Sequence, residues 1–217
     1  MKPYPIFLIG LEHRPCVVVG GGREAEYKVK GLLDCDAAVT VISPELTEQL
    51  RGWAGEDRFI WIDRDYRPGD LRGAFLVISE RAGEARNAQI WQEAEAEGAL
   101  VNVMDDVEHC NFVAGSVVRQ GHLTVSISTS GAAPALSVRL RERFEDEFGP
   151  EYATFLAWMH DLRPAMAARY PKFQERRERW YALVDSDILD LLRAGDEAAA
   201  RRRVEELTEI DLIAEGC

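Results

Sequence analysis

Three consecutive glycines, Gly20-Gly21-Gly22, follow directly on the β-branched run Val17-Val18-Val19 and precede a helical pattern over Glu24–Leu33. Glycine weakens the interiors of strands and helices alike, so three at one junction mark a place where something must approach the backbone closely. Gly20-Gly21-Gly22-Arg23-Glu24-Ala25 fits G-x-G-x-x-(G/A), with Gly20, Gly22 and Ala25 at the small positions. That pattern gives a tight turn, backbone approach to a pyrophosphate and close helix–strand packing, and the helix N-terminus beyond it offers amides to the phosphates. A bare glycine turn would read the same. The strand before and the helix after are the context that favours a nucleotide.

The rest of the chain supplies the fold for such a turn. Pro15–Val19 and Ala38–Ile42 are nearly continuous apolar runs, as in strands buried on both faces. Arg58–Ile62, Ala74–Ser79, Ala99–Val103 and Leu123–Ser128 read as further strands. Helical patterns occupy Glu24–Leu33, Glu45–Ala54 and Glu84–Glu97, the last stopped by Gly98. Alternating strands and helices predict an α/β fold with a parallel sheet. Near residue 112 the character changes: Phe112–Arg119 and His122–Ser128 flank Gln120-Gly121 as a hairpin. From Pro134 onward the pattern is helical, with breaks expected at Gly149-Pro150, Arg163-Pro164 and Gly195. The expected division is 1–111, 112–149 and 150–217.

Composition narrows the partners. No apolar run in the 217 residues approaches the roughly 18 that a membrane helix needs. Nothing at the N-terminus reads as a signal peptide, so neither membrane nor export is expected. Cys16, Cys35, Cys110 and Cys217 are scattered without a CxxC pair, which suits reduced thiols in a cytoplasmic protein. A formal net charge of −12 argues against nucleic acid, whose backbone needs a basic face.

Other residues carry candidate chemistry. After the second strand the tip that usually offers a ribose-binding acid reads Ser43-Pro44-Glu45. Ser43 or Glu45 could take the ribose hydroxyls, and the same letters also spell a helix N-cap with Pro at its first position. No arginine adjoins this tip to hold a 2′-phosphate, which favours NAD over NADP. The fifth strand ends in Met104-Asp105-Asp106, placing Asp105 where open α/β sheets bind ligands. Asp105 is there either a general base or a loop-capping residue. His109 and Cys110 lack the spacing of a metal site, and no metal is expected. Ser128-Thr129-Ser130-Gly131-Ala132-Ala133-Pro134 precedes a helix to about Phe148, and its hydroxyls suit capping or the receipt of an anion. A short-chain dehydrogenase is excluded, because no Tyr-x-x-x-Lys occurs.

Taken in order, these stretches resemble the precorrin-2 dehydrogenase / sirohydrochlorin ferrochelatase family, the N-terminal module of siroheme synthases. Pro5-Ile6-Phe7, Cys16–Gly22 with Ala25 and Lys28, and Val39–Pro44 match in sequence and spacing. Asp70-Leu71 with Gly73, Asn87, Val101-Asn102-Val103 with Asp105, and Asn111-Phe112-Val113 continue the match. Gly121-His122-Leu123, Ser126–Gly131 with Pro134, and Arg139-Leu140-Arg141 complete it.

The resemblance implies a Rossmann-like nucleotide domain, a β-containing dimerisation segment and a C-terminal helical domain. It implies oxidation of precorrin-2 to sirohydrochlorin with NAD+ taking the hydride, possible insertion of ferrous iron to give siroheme, and a homodimer. Asp105 matches the family's catalytic aspartate; Arg23, Glu24, Pro44 and Glu45 match residues lying against the cofactor, with Gly20, Gly22, Ala25, Ser43 and Ser79 completing that set. Ser128, Thr129, Gly131, Arg119, His122 and Arg139, with Arg163, are expected to receive the carboxylate-rich tetrapyrrole. Where the family has Ala-Thr-Asp or Ala-Thr-Asn after the fourth strand, this chain has Glu80-Arg81-Ala82. The alternative function is a non-catalytic NAD-binding regulatory module.

Overall fold

A computed structural model describes residues 3–212 of the chain. They fall into two compact units that divide between Ala114 and Gly115. Cys217, expected as a thiol, lies outside the described residues.

In the first unit the elements run β1 (Pro15–Val19), α1 (Arg23–Leu33), β2 (Ala38–Ile42), α2 (Glu48–Gly55), β3 (Ile60–Ile62), β4 (Leu76–Ser79), α3 (Glu84–Ala96) and β5 (Leu100–Val103). The strands form one sheet in the order β3-β2-β1-β4-β5, with every pairing parallel. This is a doubly wound, Rossmann-like arrangement, in which strand order reverses at β1. Val18, Val41 and Val77 are fully buried because α-helical layers cover both faces of the sheet. Val18 and Val41 pack with Val29 and Leu50 in one apolar cluster, while Val77 and Val101 pack with Leu71 and Ile90 in another.

Several expected boundaries move, β4 beginning at Leu76 rather than Ala74 and β6 at Ser116 rather than Phe112, and two have a local reason. β3 begins at Ile60 rather than Arg58, since the Arg58 N–H is held by the Trp53 carbonyl in the turn after α2 (3.0 Å). α2 begins at Glu48, not Glu45, so Ser43-Pro44 does not open that helix. Thr47 is its N-cap: the hydroxyl accepts from Leu50 N–H (3.2 Å) and donates to Glu26 on α1 (2.7 Å).

The second unit contains β6 (Ser116–Gln120), β7 (Leu123–Ile127), α4 (Pro134–Glu147), α5 (Pro150–Arg169), α6 (Phe173–Val184), α7 (Ile188–Arg193) and α8 (Glu197–Thr208). β6 and β7 pair antiparallel across Gly121-His122. The expected break at Arg163-Pro164 is absent, for α5 continues through Pro164. An interior proline costs about 3 kcal/mol. Phe155, Trp158, Met159, Leu162 and Met166 are buried along α5, and each contributes about 1.5–3 kcal/mol, which outweighs that cost. The chain breaks instead around Pro171 and Ser186.

Candidate functional site

The glycine bend lies at the C-terminal end of β1, beside the point of strand-order reversal. Gly20 has φ +116°, which suits glycine alone among ordinary residues. A Cβ on Gly21 would overlap the Glu45 carbonyl oxygen and stand 2.8 Å from Leu46 Cδ2, so Gly21 is where the loop after β2 passes against the bend. Gly22 is the N-cap of α1 and gives it no side-chain cap. A carboxylate does that work: Glu80, one residue beyond β4, accepts from Gly22 N–H (3.3 Å) and Ala25 N–H (3.2 Å). Ala25 is fully buried, as close helix–strand packing requires, whereas Arg23 and Glu24 are exposed at the helix start.

The remaining cofactor candidates surround this bend. Ser43 is buried; its hydroxyl donates to the Glu45 carbonyl (2.6 Å) and accepts from Glu45 N–H (3.3 Å), which curls the tip of β2. Pro44 and Glu45 are exposed on that curl. Ser79 is fully buried, its hydroxyl donating to the Glu80 carbonyl (2.8 Å), so it shapes the chain beside the bend.

Asp105 and Asp106 follow β5 and differ in every respect but chemistry. Asp105 is exposed, holds a left-handed backbone at φ +58°, and its carboxylate has no hydrogen-bond or ion-pair partner among the described residues. Strained non-glycine backbone of this kind costs about 1–3 kcal/mol and collects at functional sites. Asp106 is spoken for. It accepts from Asn87 Nδ2 (2.7 Å) and meets His109 Nδ1 (2.8 Å), and these bonds hold its carboxyl below the usual 3.8. Asn87 is buried and its Oδ1 also accepts from Ala82 N–H (3.0 Å), so one side chain braces the loop after β4 against the loop after β5. His109 packs edge-on to Trp91. Cys110 donates to the Val103 carbonyl (3.2 Å), and burial pushes its thiol up. Both therefore have structural places, and no group of three or more metal-ligating side chains converges among the described residues.

The expected substrate residues lie in the second unit. Ser128 accepts from Ser130 N–H (3.1 Å) and Thr129 from Ala133 N–H (3.3 Å). Ser130 (φ +56°) and Gly131 (φ +79°) turn the chain into α4. His122 stacks on His160 at 5.1 Å between ring centroids, Arg119 is exposed on β6, and Arg139 pairs with Glu142 at 2.8 Å. Arg163 is exposed on α5.

Comparison with known proteins places this geometry. Residues 7–116 match a family described as "Putative NAD(P)-binding", residues 120–147 one described as "Sirohaem biosynthesis protein central", and residues 151–207 the "Sirohaem synthase dimerisation region". The chain belongs to the first of these, the putative NAD(P)-binding family. Among curated relatives it is 34% identical over 217 residues to siroheme synthase 1 of Aeromonas salmonicida, covering 100% of this chain and 46% of the relative. It is 36% identical over 207 residues to the siroheme synthase of Methylobacillus flagellatus, covering 95% of this chain and 44% of the relative. The chain thus spans about half the length of the curated relatives it matches. A solved structure named SirC, precorrin-2 dehydrogenase, shares the fold at TM-score 0.75 and 21% identity, over 96% of this chain and 100% of that one.

A nicotinamide cofactor follows from the family, and the bend can be tested for it directly. Its amides already hold an oxyanion, the Glu80 carboxylate, so their direction suits phosphate oxygens. In the sequence Glu80 is marked only as a departure from the family, and Gly21 and Asn87 are not among the predicted site residues. For Gly21 the signal is the unbroken glycine triplet, for Glu80 its departure from the family after the fourth strand, and for Asn87 its match to the family; what no stretch of sequence shows is that Glu80 reaches Gly22 and Asn87 reaches Asp106, 58 and 19 positions away.

Proposed function

We propose that the chain oxidises precorrin-2 to sirohydrochlorin with NAD+ as acceptor, acting as a cytoplasmic homodimer. The observation that carries this reading is the contrast between the two adjacent carboxylates: Asp106 is locked in a structural network, while Asp105 stands exposed at the end of β5 with no partner among the described residues. Siroheme synthase relatives along the whole chain support it. The oxidation removes a hydride and a proton from the reduced macrocycle; the bound nicotinamide supplies the hydride acceptor. Asp105 takes the proton. The amides of Gly22 and Ala25 would hold the phosphates at the turn Gly20 makes, the Gly20 N–H itself being held by the Ile42 carbonyl (2.9 Å); Arg23 and Glu24 would lie alongside, and the Ser43–Glu45 curl beside Ser79 would meet the ribose. NAD is favoured over NADP because Glu45, exposed there, repels a 2′-phosphate. Ser128, Thr129 and Gly131, with Arg119, His122, Arg139 and Arg163, would receive the substrate's carboxylates. The module would divide as an NAD-binding domain over 1–111, a dimerisation segment over 112–149 and a C-terminal helical domain over 150–217.

The test is to incubate the chain with precorrin-2 and NAD+ and follow NADH. Replacing a general base lowers turnover by about 100-fold or more, and Asp105→Asn should do so with NAD affinity unchanged. Full turnover in that variant removes Asp105 from the mechanism. Dinucleotide binding by the unaltered chain with no tetrapyrrole affinity returns the regulatory reading. Adding ferrous iron afterwards and recording the siroheme spectrum decides whether iron is inserted.

A further inference from the structure

The crevice at the strand-order reversal has the glycine bend on one side and Glu80 on the other, since β1 and β4 are hydrogen-bonded neighbours with Val19 opposite Ser79. The backbone at Glu80 is fixed. Its N–H donates to the Val19 carbonyl (2.8 Å), its carbonyl accepts from the Ser79 hydroxyl (2.8 Å), and Asn87 holds Ala82 two residues on (3.0 Å). From that anchor the side chain crosses to the amides of Gly22 and Ala25. A Cβ on Gly22 would stand 2.6 Å from Glu80 Oε1, and one on Gly20 would overlap the same carboxylate. The space that Gly20 and Gly22 keep open is therefore filled by the chain itself.

We propose that the Glu80 carboxylate is an internal ligand of the phosphate-binding bend, that a dinucleotide pyrophosphate must displace it, and that this residue sets how tightly the chain holds its cofactor. The inference rests on reading the bend as the dinucleotide site. An amide donates to one oxyanion at a time, and two anions on one helix N-terminus repel, so carboxylate and pyrophosphate exclude each other. Apparent affinity then falls by the fraction of molecules whose bend is open. Because the backbone on both sides of Glu80 is pinned, opening is a rotation of one side chain. Substitution at position 80 leaves those pins in place.

The experiment titrates the full chain and its Glu80→Ala and Glu80→Gln variants with NADH, and with inorganic pyrophosphate as a probe of the bend alone. Circular dichroism confirms folding of each. If one molecule in ten is open, Glu80→Ala tightens NADH and pyrophosphate binding about tenfold. Glu80→Gln, which keeps the bulk and loses the charge, should fall between. Without any nucleotide, the backbone amide resonances of Gly22 and Ala25 should move in Glu80→Ala as they lose their acceptor. Measurable NADH binding that is unchanged or weakened in Glu80→Ala overturns the proposal and leaves the dinucleotide reading standing. Folded proteins that bind neither probe, with or without Glu80, overturn both.

Discussion

Two turns in this chain lead into helices and carry glycine and helix-start amides that need acceptors, yet they are completed in opposite ways. The turn before α4 is finished locally: Thr129 accepts the Ala133 N–H four residues on, and Ser128 accepts from Ser130 two residues on. The bend before α1 has no local cap, and its amides go to Glu80, which another strand delivers. A local cap is permanent furniture of its helix. A cap from a distant side chain is exchangeable, and an incoming anion can take its place. The hydroxyls of Ser128 and Thr129 accept from the backbone and each keeps a proton to donate, which suits a carboxylate ligand that adds to the turn rather than displacing part of it.

The largest expected effect comes from Gly21→Val. The added Cβ meets the Glu45 carbonyl and Leu46, backbone and core that cannot step aside, and the first unit should lose about 3 kcal/mol or more in denaturant unfolding. A variant as stable as the parent would show that the bend is looser than its geometry. Thr129→Val removes the acceptor for Ala133 N–H and the contact with Ser137 (3.2 Å), costing the second unit about 1–2 kcal/mol. Thr129→Ser should restore most of it; failure of that rescue would make methyl packing, not capping, the reason for Thr129. Gly131→Ala meets open space and pays only for φ +79°, about 1 kcal/mol. Equal losses at Gly21 and Gly131 would erase the contrast between the two turns.

The smallest effect is seen in acid. The side-chain bond from Asn87, then that from His109, depresses Asp106, and the side-chain bond from Arg64 (2.6 and 2.7 Å) depresses Asp70. A carboxylate with a lowered native value contributes stability that is complete above its ordinary 3.8 and is lost as pH falls through the depressed value. Asp70→Asn and Asp106→Asn should therefore destabilise the first unit at neutral pH and flatten its loss of stability below pH 3.8. Acid unfolding curves parallel to the parent's would remove these two groups from the balance. At the other end, burial and then the nearby Cys35 push the Cys16 thiol up to about 11, consistent with a side chain enclosed in the sheet.

Much of the first unit was legible because its signals are local. Continuous apolar runs gave β1 and β2 to the residue, and the β-branched-to-glycine step located the bend. The reading failed where a neighbour in space decided the outcome. Ser43-Pro44 has the letters of a helix start, but Thr47 caps α2 because Glu26 on α1 receives its hydroxyl. Pro164 has the letters of a helix stop, but the apolar face of α5 is buried on both sides of it. Asp105 and Asp106 are identical letters side by side, and only Asn87 and His109 separate their roles.

The amino-acid order by itself determined the alternation of strands and helices, the glycine junction and the change of character near residue 112, since periodicity and backbone permissiveness are properties of neighbours along the chain. Only the tertiary structure decided which carboxylate is free, which glycine touches backbone, and what lies in the bend. Glu80 reaches Gly22 across 58 positions because β4 pairs with β1. A contact made by strand pairing leaves no mark in the residues on either side of it.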